Sequence, residues 1–540
     1  MIYQSRPGQD GPEQRERRPE GISKWLGWFG RLRLFWIVFA FALLVYAQFQ
    51  IWNQPSQGDR ANWDYFAQVI ARGGAPYRDV VNIKSPLSAY IGAAALIAAR
   101  PFGLRDIFAI RIIFIVLAAF VVAVTFLLTL DRFESVGTAL LAAAILLSFN
   151  VFSASNAGGI QPKTPMVLFG LVSLWAILKG RPFVAGVFGM LSALSWQPGL
   201  LFVGAAGLAF SRYLTRWRDM KVARLLAGAM IPLAVLLTYF FIAGALKDFY
   251  LWTIDFTSTV YAPHELKSVS GFFERVSRML SGKYYRSHVY FYLGIAGLCI
   301  ALGREIKSGV KSGIGYLVER APSHAVMIAP LVYFAFCMID IQGGADLIPL
   351  IPFIAMLSAL ALVFAAERVA NRLARGAGNL AATIRRFAVG VVIVWALCFS
   401  VRDAVLFECG FPTLKDQDAL VAEIVSQLDA GDTVFVHGQT EILVLGRLTN
   451  ASKYFFLDKG KDGYLDRVEP GGFAGWFERL KAERPKIVGL SRLGGVDHAQ
   501  DFLDWVAASY EPRADRIFTY YVRKPDAEDG DSGSQKRTSK

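Results

Sequence analysis

Residues 107–130 read IFAIRIIFIVLAAFVVAVTFLLTL, a run in which Arg111 is the only charged side chain. At 1.5 Å per residue such a run crosses the hydrocarbon of a bilayer as one helix. Outward from it in both directions, further apolar runs lie near 34–52, 137–152, 164–179, 182–196, 198–211, 225–244, 287–303, 323–339, 346–366 and 387–407. Together they predict an all-α polytopic membrane domain of about eleven transmembrane helices over residues 31–410, with juxtamembrane helices on its outer surface. Composition agrees, with 540 residues of which 54% are hydrophobic and only 19% charged. Lipid is part of the solvent of such a chain.

The formal net charge of +14 does not point to nucleic acid, because the basic residues fall in short clusters between the apolar runs. Those clusters carry the topology. Arg31 and Arg33, Lys179 and Arg181, the group Arg212, Arg216, Arg218, Lys221 and Arg224, then Arg304, Lys307, Lys311 and Arg320, and finally Arg368, Arg372, Arg375, Arg385 and Arg386 all fall on one side if the chain crosses eleven times. The expectation is a multi-pass protein of the cell (inner) membrane with a cytoplasmic N-terminus. Residues 85–103 then lie along the membrane or re-enter it. Residues 1–30 are polar and mixed, and are expected to be a disordered cytoplasmic tail. The cysteines at 299, 337, 398 and 409 form no C-x-x-C pair, which speaks against both a disulfide framework and a zinc site.

Past residue 410 the pattern changes. Asp432–Val436, Lys486–Leu490 and Thr519–Val522 have strand character, and 473–483 and 501–509 read as amphipathic helices. A small external α/β domain is expected over 415–525, followed by a disordered tail over 526–540. It has no Gly-rich phosphate loop, and His437 is assigned no chemistry.

The polar residues that invite chemistry gather in the first outer loop, 53–106. It contains Gly58-Asp59-Arg60-Ala61-Asn62-Trp63-Asp64-Tyr65, then Gly74-Ala75-Pro76-Tyr77-Arg78-Asp79, then Lys84-Ser85-Pro86-Leu87. A carboxylate at the start of a helix on the membrane surface can take the proton of an incoming hydroxyl, and Asp64 is the residue chosen for that role. The same spacing suits a helix cap at Asn62 or Asp64, and Lys84 suits an interface lysine whose stem lies in lipid. Arg111 lies inside an apolar run, where a charge is costly and marks either a site or an interhelical pair with Asp106 or a carbonyl.

This order of elements, an Asp in the first outer loop, Gly-x-Pro-Tyr-x-Asp, then Lys-x-Pro-Leu before an apolar helix, resembles the C-type (GT-C) membrane glycosyltransferases of the protein O-mannosyltransferase and lipid A aminoarabinose transferase kind. The resemblance implies transfer of a sugar from a polyprenyl-phosphate carrier to a glycan, lipid or protein acceptor at the outer face, with inversion. It puts Asp64 at the catalytic aspartate and Lys84 near the lipid phosphate. Arg111 is expected at the same phosphate because of its cost in lipid, and Tyr65, Tyr77, Asp79, Gln161, Lys163 and Gln197 are expected around the substrate cavity. Where relatives carry a second acidic residue, 153–163 reads SASNAGGIQPK, and Gly343-Gly344-Ala345-Asp346 replaces a His-Tyr pair. No metal ligands are therefore assigned, and a divalent cation remains an open cofactor. A flippase or transporter of a lipid-linked saccharide is the competing class, although no internal repeat supports it. Asp255, Tyr261, His264 and Glu265 read as solvated loop.

Overall fold

The computed structural model describes residues 27–210, 220–261, 268–319, 321–339, 341–375 and 377–525. The expected tails, apart from 27–30, lie outside the described residues, as do Arg212, Arg216, Arg218, His264, Glu265 and Arg320. Helix α1 (Trp28–Ala47) precedes two short helices of the first loop, α2 (Asp59–Ala71) and α3 (Leu87–Ala99), and the long α4 (Asp106–Phe133). The helical domain continues through α5 (Val136–Leu147), α6 (Asn150–Ala157), α7 (Lys163–Leu178), α8 (Pro182–Ser195), α9 (Leu200–Phe210) and α10 (Lys221–Ile242). Then come α11 (Leu246–Tyr250), two π-helical turns at Leu251–Asp255 and Thr257–Tyr261, and α12 (Val269–Ser281). The last four helices are α13 (His288–Glu319), α14 (Ala321–Ile339), α15 (Ile351–Leu373) and α16 (Gly378–Val405).

Among the described residues, seven helical stretches are long and apolar enough to cross a membrane, and α5 with α6, bent by 60° at their junction, make an eighth if taken as one span. The protein is thus a multi-pass membrane protein by the length and composition of its helices. Of the eleven apolar runs, the other three form shorter apolar helices: α7, α8 and the stretch Gln197–Phe210. Residues 85–103 fold as α3 and a 3-10 turn, Arg100–Phe102, again apolar but short.

Glycines let the helices approach backbone to backbone, the form of packing that suits an apolar solvent. A Cβ on Gly186 of α8 would stand 2.0 Å from the Leu225 carbonyl oxygen of α10, and one on Gly297 of α13 would stand 1.9 Å from that of Leu357 in α15. At the end of the bundle where α1 begins and α4 finishes, Asp131 holds Arg31 at 2.9 Å, Lys179 at 2.8 Å and the Trp175 indole N–H at 2.8 Å. Arg132 pairs with Glu305 beside it at 2.9 Å.

At the opposite end sits the C-terminal α/β unit. It begins with α17 (Leu414–Ser426), whose start is fixed by Thr413 and Asp416 capping each other's backbone N–H. It continues through β1 (Val434–His437), α18 (Glu441–Gly446), α19 (Lys461–Val468), α20 (Gly472–Ala482), β2 (Ile487–Leu490), α21 (Ala499–Ser509), β3 (Tyr510–Ala514) and β4 (Thr519–Arg523). The sheet runs β1-β2-β4-β3, with β1 parallel to β2 in the register Val434 to Ile487 and the other pairs antiparallel. Strand β3 has no alternating apolar pattern because it is an edge strand, exposed from Glu511 to Ala514, and there Pro512 is tolerated.

This unit does not hang from the bundle on a tether. Trp63, Tyr65 and Phe66 of α2, Trp252 of the first π-helical turn and Phe256 between the two turns share one apolar core with Phe435, Tyr454, Phe455 and Tyr464. Polar contacts follow the same seam: Gln417 Nε2 donates to the Ser56 carbonyl at 2.7 Å, the Gly58 N–H to Glu441 at 2.9 Å, and the Val81 N–H to the Lys453 carbonyl at 3.1 Å. Burial and mutual satisfaction of these groups make the first loop and the α/β unit one folded body.

Candidate active site

Gly58 adopts a positive φ of 62°, a conformation that a glycine takes without strain, and turns the chain into α2. Asp59 is the first residue of that helix and stays exposed, at the end where the helix dipole favours an anion. Residues three and four further on, Asn62 and Trp63, lie on the same face as Asp59. Asp64 is five residues away, about 140° around the helix. That rotation decides what each carboxylate can meet.

Two cavities open in front of the Asp59 face. The larger, about 690 Å³, is lined by Lys84, Lys163, Lys283 and Gln197 beside an apolar wall of Leu200, Leu201, Phe336 and Ile339. The smaller, about 390 Å³, lies between the first loop and the α/β unit and includes Asn62, Trp63, Phe455, Lys459, Lys461 and Arg492. Asp59, Ile83, Lys84, Tyr261 and Gln342 line both, so the two meet at the Asp59–Lys84 edge. Burial pushes the Lys84 ammonium below the usual lysine range, with the Asp59 charge opposing the shift. Its loop is held by the Tyr77 hydroxyl, which donates to the Lys84 carbonyl at 2.7 Å, and by Gln197, whose amide donates to the Ile83 carbonyl at 2.9 Å. Lys163 pairs with Asp346 at 2.8 Å and stands 4.6 Å from the Trp196 ring centre, while Asp346 also accepts the Gln342 and Gly343 N–H groups at 2.8 Å each.

Of the residues expected around the substrate, Lys84, Lys163 and Gln197 come together on the larger cavity. Asp64 lines neither cavity and has no exposed surface. Its Oδ1 accepts the Ile160 N–H at 3.1 Å and its Oδ2 has no hydrogen-bond partner. Burial raises its pKa to about 7 in spite of Ile160, Arg111 and Arg60. Arg111, expected at the donor phosphate, is fully buried, and its two terminal nitrogens donate at 2.6 Å to the carbonyls of Ile51 and Gln54. Of the two readings open for it, the pairing with carbonyls is the one realised. Asp106 instead pairs with Arg447 at 3.1 Å.

Tyr65, Tyr77, Asp79 and Gln161 also stand off both cavities. Tyr65 accepts the Asn450 N–H at 2.9 Å, Asp79 pairs with Arg78 at 2.7 Å, and Gln161 accepts the Lys163 N–H at 3.4 Å. Among the described residues, no group of three or more His, Cys, Asp or Glu side chains is placed to hold a metal ion. Charged lining residues to which the sequence reading gave no role include Asp59, Lys283, Lys459, Lys461 and Arg492. For Asp59 a helical wheel carries the signal, since Asp59, Asn62 and Trp63 share a face that excludes Asp64.

The fold is shared with solved structures of two membrane transferases, ArnT and AglB. The chain is similar over 93% of its length to the crystal structure of ArnT from Cupriavidus metallidurans bound to undecaprenyl phosphate, of which it covers 99%, with a TM-score of 0.61 and 15% identity. The apo state of the same protein matches over 91% of this chain and 98% of that one, at a TM-score of 0.60. A further likeness, at a TM-score of 0.51 and 12% identity, is to the archaeal oligosaccharyltransferase AglB from Archaeoglobus fulgidus in complex with an inhibitory peptide and a dolichol-phosphate, over 92% of this chain and 75% of that one. No family model matches the chain, and no curated protein does.

Proposed function

We propose that the protein is a glycosyltransferase that moves a sugar from a polyprenyl-phosphate carrier to an acceptor hydroxyl at the outer face of the cell membrane, with inversion at the anomeric carbon. The observation that carries this reading is the meeting of two cavities at Asp59 and Lys84. The larger one has the mixed character a lipid phosphate needs, with ammonium groups at Lys84, Lys163 and Lys283 beside the apolar wall. The bound lipids named for ArnT and AglB agree with that chemistry.

In this reading Asp59, and not the buried Asp64, takes the proton of the acceptor hydroxyl. The hydroxyl oxygen attacks the anomeric carbon from the side of the smaller cavity. The bond to the carrier phosphate breaks, and the lysines stabilise the departing anion. Asp64 and Arg111 hold the frame, fixing the turn before α7 and the connection from α1. Eleven crossings complete the topology, with α7, α8 and α9 as short spans, the N-terminus cytoplasmic and the α/β unit outside. The Lys and Arg clusters support that orientation.

The test is transfer by the purified full chain in nanodiscs, supplied with a panel of radiolabelled polyprenyl-phosphate sugars and extracted envelope acceptors. Label passing from at least one donor to an acceptor is the expected result. Transmembrane movement of intact donor without cleavage across the whole panel would instead make the protein a transporter.

A further inference from the structure

The smaller cavity carries a charge pattern that the donor does not need. Lys84, Lys459, Lys461 and Arg492 face it, against the carboxylates of Asp59 and Asp458. Lys461 is buried and neutralised by Asp458 at 2.6 Å, its ammonium 4.9 Å from the Phe456 ring centre. Lys84 is shared with the larger cavity. Among the groups that face the cavity, the excess positive charge is therefore that of Lys459 and Arg492, both exposed and both contributed by the α/β unit, with the Glu441 carboxylate behind the Gly58 turn in electrostatic reach of Arg492. Among the described residues, no carboxylate lies within ion-pair distance of Lys459; its Nζ donates to the Gln342 side-chain carbonyl at 2.7 Å and stands 5.1 Å from the Tyr261 ring centre. Arg492 reaches toward the turn at Gly58, where a Cβ would stand 3.2 Å from its guanidinium.

The remaining walls are aromatic. Trp63 and Phe455 are buried, while Phe456 and Tyr261 are half-buried. Such rings offer flat apolar faces to the C–H side of a sugar, and cations at the rim recognise an oxyanion by charge-assisted hydrogen bonds. We propose that this cavity is the acceptor subsite and takes a saccharide bearing an oxyanion, either a uronate carboxylate or a phosphate monoester, held by Lys459 and Arg492. The proposal rests on the transferase reading for the meaning of "acceptor", but the binding it describes is measurable without transfer. It also gives the α/β unit a role, since both cations come from it and Asp59 does not.

The experiment titrates the full chain in nanodiscs with tetragalacturonate, maltotetraose phosphate, neutral maltotetraose and decaprenyl phosphate. At least one of the two anionic oligosaccharides should bind about tenfold more tightly than maltotetraose, as expected for one or two charge-assisted hydrogen bonds. Which of them does so distinguishes the carboxylate source from the phosphate source. The double variant Lys459→Gln/Arg492→Gln, at two exposed positions, should lose that preference and keep its decaprenyl phosphate affinity. The swapped pair Lys459→Arg/Arg492→Lys should retain both. Equal binding of maltotetraose, no binding of either anion, or an unchanged preference in the double variant would overturn the proposal. So would loss of decaprenyl phosphate binding in the double variant, which would assign the two cations to the donor. Failure of the wild-type chain to bind decaprenyl phosphate, with the anion preference intact, would remove the transferase reading and leave the anion subsite standing.

Discussion

The two ends of the helical bundle use charge in opposite ways. At the end where α4 finishes, Asp131 is surrounded by Arg31, Lys179 and the Trp175 indole, and Arg132 is matched by Glu305. At the end bearing the α/β unit, Lys84, Lys283 and Asp59 face open cavities. Charges next to hydrocarbon are stable only when paired, and the first end follows that rule and ties α1, α4, α7 and α13 together. The second end has pairs of its own, Lys163 with Asp346 and Lys461 with Asp458, but it also keeps Lys84, Lys283 and Asp59 on open volume, which is where a ligand of matching charge is stabilised. The proposed function accordingly puts the chemistry at the second end.

The largest effect that would break this contrast is expected from truncation after Phe407. Removing the α/β unit bares the Trp63, Tyr65 and Phe66 face of α2, which is buried in the shared core. We expect no folded protein and no transfer; a truncated chain that still transfers would mean the two regions are independent after all.

Asp64 sharpens the contrast from inside. Its folded pKa of about 7 lies above the ordinary value of 3.8 because burial disfavours the charged form. Below about pH 4 both folded and unfolded chains hold the proton, and no penalty arises. Between about pH 4 and 7 the unfolded chain releases it first, so stability falls as pH rises, and above about pH 7 the loss is constant, at most on the order of 4 kcal/mol. Asp64→Asn should therefore melt at pH 8 no lower than the parent and show a flatter melting profile from pH 5 to 8. A variant that melts lower at pH 8 would show that the charged form is the one the fold needs.

Lys84→Met keeps the length and apolar stem of the side chain but removes the ammonium from the junction of the cavities. Donor use, read as kcat/KM for the lipid-linked sugar, should fall by roughly 10- to 100-fold. An unchanged value would move the donor phosphate elsewhere. The smallest effect belongs to the opposite end. Asp131→Asn unties partners that are themselves partly exposed, so a loss of about 1–2 kcal/mol in stability is expected, with turnover per folded molecule unchanged. A drop in turnover would erase the distinction between the two ends.

Much of this was legible in the sequence because hydrocarbon imposes strong patterns. Runs such as 107–130 admit one reading, and the parallel pair β1 and β2 consists of short apolar segments. Strand β3 was not legible, since an edge strand that buries only Tyr510 shows no alternation. In the first loop the sequence separates the Asp59 and Asp64 faces of α2 but does not say which of them meets open volume. Asp59 and Asp64 are equally carboxylates on α2, and choosing between them requires knowing that Trp63, Tyr65 and Phe66 bury against a unit some 370 residues further along the chain. Arg111 signalled a costly charge without showing that carbonyls satisfy it. Lys459 and Arg492 carry no local signal, because only tertiary structure brings them to Asp59.

The most direct measurement of the central claim sets Asp59→Asn beside Asp64→Asn in one transfer assay, with donor and acceptor fixed and decaprenyl phosphate binding as the control for folding. The account predicts that Asp59→Asn still binds the lipid phosphate but loses transfer by a factor on the order of 10²–10⁴, while Asp64→Asn transfers within about tenfold of the parent. Near-normal transfer by Asp59→Asn together with a silent, folded Asp64→Asn would contradict it.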